Sequence, residues 1–250
     1  MQLNRRPLIS AMGLTAMVGQ KVLVDGVALD IVSGDRIAIV GKSGAGKTSL
    51  LRALVGAALV PPSSLRLFGE EAAGLKGRRL RTLRRQTAHI SQGFDLVNDL
   101  SALENVMIGD FSAGRIPRVF SFLSSRQSKL KAHELLVRFE LGPMAAQAVG
   151  SLSGGEKQRV AIARAMISDP KVLFADEPVS ALDVATGQMV MDDLSDVSKS
   201  GVAVVAALHQ VELALGWATK ILVMSNGKLV ATADAKDLTL AKLQSLIVDV

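Results

Sequence analysis

The sequence predicts an α/β protein: a mostly parallel sheet core, an antiparallel β part, and a helical subdomain inserted between the two halves of the sheet. Three observations carry this prediction. A short β-branched run at residues 36–40 leads through a glycine-rich loop at residues 41–46 into a segment with helical spacing at residues 47–58. Three more apolar runs, at residues 171–175, 201–208 and 220–224, alternate with helix-periodic stretches such as residues 156–167 and 184–197. Strands that alternate with helices favour a parallel sheet covered on both faces. Residues 96–149, by contrast, contain no strong strand pattern. The chain reads as one domain over residues 8–250, with the helical subdomain at about 96–150.

Taken in order, residues 14–40 are strand-like, with Gly26 and the Ser33-Gly34-Asp35 turn as breaks. Arg5 and Arg6 followed by the apolar residues 7–18 have the outline of a secretory signal. The reading adopted is a first β-strand feeding a second at residues 21–31. Residues 36–40 suit a buried central strand. In the helix that follows, Leu50, Leu51, Leu54, Val55 and Ala58 share one face. Within the subdomain, residues 101–107 and 126–139 are helical in period, and residues 111–125 between them are rich in Gly, Pro, Ser and Arg. After the strand at 220–224, Asn226-Gly227 signals a hairpin into residues 228–232.

Composition limits the chemistry. The 250 residues include no cysteine, which excludes disulfides, a thiol nucleophile and Cys-ligated metal sites. Aromatic residues make up 3%, with no tyrosine, so the core must be aliphatic. A net charge of +6 suits anionic partners without choosing among them. No window is apolar for long enough to span a bilayer; the nearest, at residues 49–61, is interrupted by Arg52. Residues 76–85 carry six cations: Lys76, Arg78, Arg79, Arg81, Arg84 and Arg85. Without interleaved aromatics, this stretch reads as a solvated helix with Leu80 and Leu83 turned inward rather than as a nucleic-acid patch.

Gly41, Lys42, Ser43, Gly44, Ala45, Gly46, Lys47 and Thr48 fit G-x-x-x-x-G-K-S/T, with Ser49 following. Glycines let backbone N–H groups curl around a phosphate, and the helix start adds its positive dipole end. Lys47 would reach the β- and γ-phosphates, and the Thr48 hydroxyl would bind Mg²⁺. The apolar strand ending in Asp176-Glu177 supplies a metal-shell carboxylate, Asp176, and a carboxylate able to activate water, Glu177. Ser153, Gly154 and Gly155 open a helix and form a second anion-binding terminus, one that cannot easily serve the phosphate held by Lys47. Two half-sites for one nucleotide suggest head-to-tail pairing of two copies.

At this point the chain resembles the ATP-binding subunits of ABC transporters, P-loop NTPases with an ABC-type nucleotide-binding domain. The resemblance rests on the loop 41–48, Gln92, Leu152-Ser-Gly-Gly-Glu156, the strand ending at Asp176, Glu177, Ser180-Ala-Leu-Asp183 and His209, all in family order. It implies an ATPase using ATP and Mg²⁺, with Thr48, Gln92 and Asp176 at the metal and Glu177, His209 and Lys47 catalytic. It further implies that Ser153, Gly154, Gly155 and Glu156 contact ATP held by a second copy, that Asp183 crosses the dimer interface, and that His209 meets the γ-phosphate and holds Glu177. The family stacks adenine on an aromatic residue at a position matching Val18, beside Met17, so that stacking is lost here.

Three segments resemble the phosphonate-importer branch: residues 91–106, 114–118 and 208–215. That branch implies a membrane permease partner, a periplasmic binding protein acting indirectly, no nucleic acid, and a place on the cytoplasmic face of the inner membrane. Phe94, Leu96, Val97 and the Phe120/Phe122 region are the expected lining of a groove for the permease. The alternative is a cassette of a soluble carbon–phosphorus lyase assembly. A nucleic-acid ATPase of this family would need a long coiled coil or a second cassette, and the chain has neither. A catalytically dead cassette is opposed by Lys47, Asp176, Glu177 and His209.

Overall fold

The structure, a computed structural model, describes residues 6–56, 60–112 and 126–248, with side chains to residue 110 in the second stretch. Residues 114–118, Phe120 and Phe122 therefore lie outside the described residues.

Two sheets form the frame. The first is antiparallel in the order β2-β1-β4-β5, from β1 (Ile9–Val18), β2 (Lys21–Ile31), β4 (Leu65–Leu67) and β5 (Glu70–Glu71). The second has the order β10-β9-β3-β8-β7-β6, from β3 (Arg36–Val40), β6 (Thr87–Ile90), β7 (Val172–Asp176), β8 (Ala203–Ala207), β9 (Lys220–Ser225) and β10 (Lys228–Asp234). β9, β3, β8, β7 and β6 run parallel, and only β10, folded back by the Asn226-Gly227 turn, is antiparallel.

The apolar run with the outline of a signal segment is β1, paired with both β2 and β4. Gly26 does not break β2; it sits at a positive φ of 66° where the register with β1 slips, and its N–H donates to Thr15 Oγ1 at 3.2 Å. Glycine takes that backbone state without a Cβ penalty, so the strand continues through an irregularity.

β3, β7, β8 and β9 are buried on both faces, so alternate residues feed two cores. Ile37, Ile39, Phe174, Val205 and Leu222 meet α1 (Lys47–Leu54) and the first sheet. Ala38, Val40, Leu173, Val204 and Val223 meet the helices of the other side, among them α3 (Ala102–Ser112), α4 (Arg126–Arg138), α5 (Gly154–Met166) and α6 (Val184–Lys199). Each large side chain so enclosed contributes about 1.5–3 kcal/mol. With no tyrosine and few other aromatics, tight packing comes from β-branched and leucine side chains.

α1 is shorter than the helical spacing over residues 47–58 suggests. Gly56 adopts φ 67°, and its N–H returns to Ala53 O at 2.9 Å, which closes the helix at Leu54. The basic stretch is α2 (Gly77–Arg84), with Leu83 buried as expected. Two of its cations are engaged: Arg79 with Glu70, and Arg84, which donates to the carbonyls of Val55 and Gly56 beyond the end of α1. α7 (Val211–Trp217) and α8 (Leu240–Val248) complete the helices. No helix among the described residues is long and apolar enough to cross a membrane.

Candidate active site

Parallel strands place their carboxyl ends along one edge of the sheet, where ligand crevices form. Four of these strands deliver the predicted residues to that edge. β3 runs into residues 41–46 and α1, β6 into Gln92, β7 into Asp176 and Glu177, and β8 into His209.

The loop can take its curl only because of its glycines. Gly41, Gly44 and Gly46 have φ of 154°, 80° and 103°. A Cβ on Gly41 would lie 2.3 Å from Met224 O, and one on Gly46 would lie 3.0 Å from Leu23 O. The loop is thus wedged between β9 and β2. Lys42, Ser43 and Gly44 are exposed at its tip, while Ala45 is buried and Ser49 is half-buried. Gly46 caps α1 with no side-chain cap, and the first turn carries no acid. The orphan N–H groups and the positive end of the helix are therefore left to an anion, a fit for phosphate.

Lys47 is buried, and its ammonium donates to Gly41 O at 3.0 Å and Lys42 O at 3.3 Å. Burial pushes its pKa below the usual lysine value, against the opposing pull of Glu177 and Asp176. Thr48 Oγ1 donates to Asp176 Oδ1 at 3.0 Å, which brings a hydroxyl and a buried carboxylate together under the loop. No group of three or more His, Cys, Asp or Glu side chains able to hold a metal occurs among the described residues. That donor set fits Mg²⁺, which usually takes one or two carboxylates and completes its shell with water and substrate phosphates.

Glu177 is the point of convergence. Gln92 Nε2 donates to its Oε2 at 2.8 Å, and His209 Nε2 lies 2.5 Å from its Oε1. The backbone of Glu177 has φ 53°, a left-handed state that costs a non-glycine residue about 1–2 kcal/mol. Its N–H donates to Ala207 O at 3.1 Å, and its carbonyl accepts from the N–H and hydroxyl of Ser180. Held at both ends, this carboxylate can take a proton from a water at a fixed place.

The second group of predicted residues is not hydrogen-bonded to the first. Ser153 caps α5: its hydroxyl oxygen accepts from Glu156 N–H at 3.3 Å, while Glu156 Oε2 accepts from the Ser153 hydroxyl at 2.8 Å and from Ser153 N–H at 2.7 Å. These bonds hold Glu156 below the usual carboxylate range. Asp183 caps α6 through Thr186. A Cβ on Gly155 would come within 2.4 Å of Thr186 Cγ2, and one on Gly154 within 3.0 Å of Leu182 Cδ2, so the starts of α5 and α6 pack as one unit. Of the expected groove lining, Phe94 and Leu96 are partly buried against the core, whereas Val97 is 45% exposed.

Met17 and Val22 face each other across β1 and β2, and both are exposed beside Val18. They lie next to Leu23, whose carbonyl abuts the loop. Sequence reasoning missed Arg164, whose guanidinium donates to Phe94 O and Asp95 O, each at 2.5 Å. Nothing in the sequence near Arg164 signals that contact.

The ABC transporter family matches residues 24–180. The chain is 38% identical to the phosphonates import ATP-binding protein PhnC of Rhizobium meliloti (strain 1021), over 93% of this chain and 84% of that protein. It is 37% identical to the phosphate-import ATP-binding protein PhnC of Mycolicibacterium smegmatis (strain ATCC 700084 / mc(2)155), over 93% and 89%. Among solved structures it resembles the dimeric, post-hydrolysis ATP-binding cassette MJ0796 with ADP and Pi. That match has a TM-score of 0.77 and 27% identity, covering 91% of this chain and 98% of the other. With its loop, its strand-end carboxylates and this extent of likeness, the chain belongs to the ATP-binding cassette ATPases of ABC transporters.

Proposed function

We propose that the chain is the ATP-hydrolysing subunit of an importer for phosphonate or a related phosphorus oxyanion, closing as a dimer on two ATP and driving a separate permease. The observation that carries the catalytic part is the Glu177 carboxylate, held by Gln92 and His209 beside the Thr48–Asp176 pair. The substrate class rests on relatives named for phosphonate and for phosphate import. The dimer has support from the paired state of the MJ0796 cassette and from Gly154 and Gly155, which open a second helix apart from the loop that Lys47 serves.

In this reading the N–H groups of residues 42–48 and the Lys47 ammonium hold the β- and γ-phosphates. Mg²⁺, held by Thr48, Asp176 and Gln92, would supply charge neutralisation on those phosphates. Glu177 takes a proton from water as the water oxygen attacks the γ-phosphorus and the bond to the β-phosphate oxygen breaks. His209 orients Glu177 and meets the γ-phosphate. Ser153, Gly154, Gly155 and Glu156 of one copy face the nucleotide of the other, with Asp183 across the interface. Residues 96–150 work as a helical subdomain within the domain 8–250. The site is placed at the cytoplasmic face of the inner membrane by its permease, and a binding protein acts through that permease.

The test is Mg²⁺-dependent ATP hydrolysis by the purified chain, sizing in ATP–Mg²⁺, and identification of what co-purifies. A permease in the membrane fraction supports the reading; soluble lyase subunits instead would replace it.

The base seat gives a separate prediction. Aliphatic Met17, Val18 and Val22 offer a base a surface without a π-face, so ATP and GTP are expected to be hydrolysed with KM values within a few-fold of each other. Base–aromatic stacking is worth about 1–3 kcal/mol. Val18→Tyr is accordingly expected to lower the KM for ATP by about fivefold or more, with kcat little changed. Unaltered KM in that variant places the base elsewhere.

A further inference from the structure

We propose that Arg164 is a positioning residue for hydrolysis: by clasping the turn at Phe94 and Asp95, it fixes where Gln92 stands against Glu177. The inference rests on the reading of Glu177 as the base.

Phe94 and Asp95 have φ of 63° and 51°, two successive non-glycine residues in the left-handed state. For a bulky residue such as phenylalanine that state is an outlier, and two in a row do not persist unaided. Local bonds supply part of the support. Phe94 N–H donates to Ser91 O at 3.1 Å, Asp95 N–H to Gly93 O at 2.8 Å, and the Ser91 hydroxyl donates to the Asp95 carboxylate. The rest comes from α5, seventy residues away in sequence. Arg164 Nη2 donates to Phe94 O and Nη1 to Asp95 O, both at 2.5 Å. One planar fork spans two consecutive carbonyls, a match that the single-point ammonium of lysine cannot reproduce.

Arg164 is partly buried, and burial pushes its guanidinium below the usual arginine value. Placing a cation there is costly unless its donors are used, and two of them end on this turn. Phe94 is two residues after Gln92, whose amide sits 2.8 Å from Glu177. Small shifts of a positioning group are amplified in rate, with about 1 Å able to cost 10²-fold. The same helix has Ser153 as its cap and Glu156 in its first turn, so in the proposed reading the two ends of α5 address two different parts of the catalytic machinery.

The experiment is steady-state ATP hydrolysis by Arg164→Gln and Arg164→Lys, with thermal melts, and by Phe94→Gly alone and combined with Arg164→Gln. Arg164→Gln is expected to lose about tenfold or more in kcat, with KM for ATP within about threefold. Arg164→Lys, retaining one donor arm, is expected to fall between it and the parent. Glycine at 94 relieves one of the two strained positions, leaving only Asp95 in the left-handed state, so the loss caused by Arg164→Gln is expected to shrink in its presence by about threefold or more, a coupling of the size neighbouring residues show.

Unchanged kcat in folded Arg164→Gln, a change confined to KM, or strictly additive effects of the two substitutions would each overturn the inference. Should Arg164→Gln not fold, Arg164→Lys decides by the same split of kcat against KM. Glu177→Gln run in parallel separates the two claims. Full turnover there removes the base and this inference with it. Loss there, with normal turnover in Arg164→Gln, removes this inference alone.

Discussion

Glu177→Gln is expected to reduce ATP turnover by about 10²–10⁴-fold, the contribution typical of a positioned general base. The substitution isolates the chemistry well. Glutamine is no better and no worse than glutamate at φ 53°, and the N–H bond to Ala207 O and the bonds from Ser180 are all backbone contacts of residue 177 that it retains. The side chain keeps its length and can still meet Gln92 and His209. What it loses is an oxygen able to take a proton. ATP should therefore still bind, and the variant should hold nucleotide unhydrolysed in a two-copy complex during sizing in ATP–Mg²⁺. Turnover equal to that of the parent would show that another group accepts the proton.

Lys47→Met comes second, and its effect falls on binding. The ammonium is buried in the curl of the loop with two carbonyl partners. Hydrogen bonds to charged groups are worth about 1.5–3 kcal/mol, so ATP affinity should drop by about 10- to 150-fold. The parent should also show a pH dependence that the variant lacks. Burial lowers the pKa of Lys47 in the free protein, whereas the phosphates of ATP favour the charged form. Below the lowered value the ammonium is already present and affinity is flat. Above it, binding must take up a proton, so affinity falls as pH rises. Titrations of ATP affinity from neutral to alkaline pH check both points; parallel curves for parent and variant would show that Lys47 carries no such linkage.

Much of this could be read from residue order alone. The glycine loop announces itself because its chemistry is contiguous: strand, curl and helix start follow one another, and each needs particular residue types. The parallel sheet was legible for a similar reason, since β3, β7, β8 and β9 are buried on both faces and so are apolar at nearly every position. Short pieces were not. β4 and β5 span three residues and two, too few for any period to show; β4 exists because β1 offers it an edge, and β5 because β4 does. The end of α1 is hidden because Val55 and Ala58 continue the helical pattern past Leu54, while a single left-handed glycine, Gly56, decides the matter. Gln92, Glu177 and His209 lie far apart in the chain, and only strand order brings them together. Arg164 lies beyond such reasoning altogether. Its partners are backbone carbonyls, which carry no residue identity, on a turn whose strain is invisible until the chain is folded.

The start of α5 has one more consequence. The Ser153 hydroxyl has a single proton to give, and it is given to Glu156. A phosphate oxygen arriving at that helix start meets an incumbent of its own charge, already supplied by the same hydroxyl and by the backbone N–H of Ser153. Any anion bound there would share the helix start with a carboxylate, which makes the start unwelcoming to stray anions. In the proposed dimer, a nucleotide already seated in the other copy's loop would bring the contacts elsewhere that offset this repulsion.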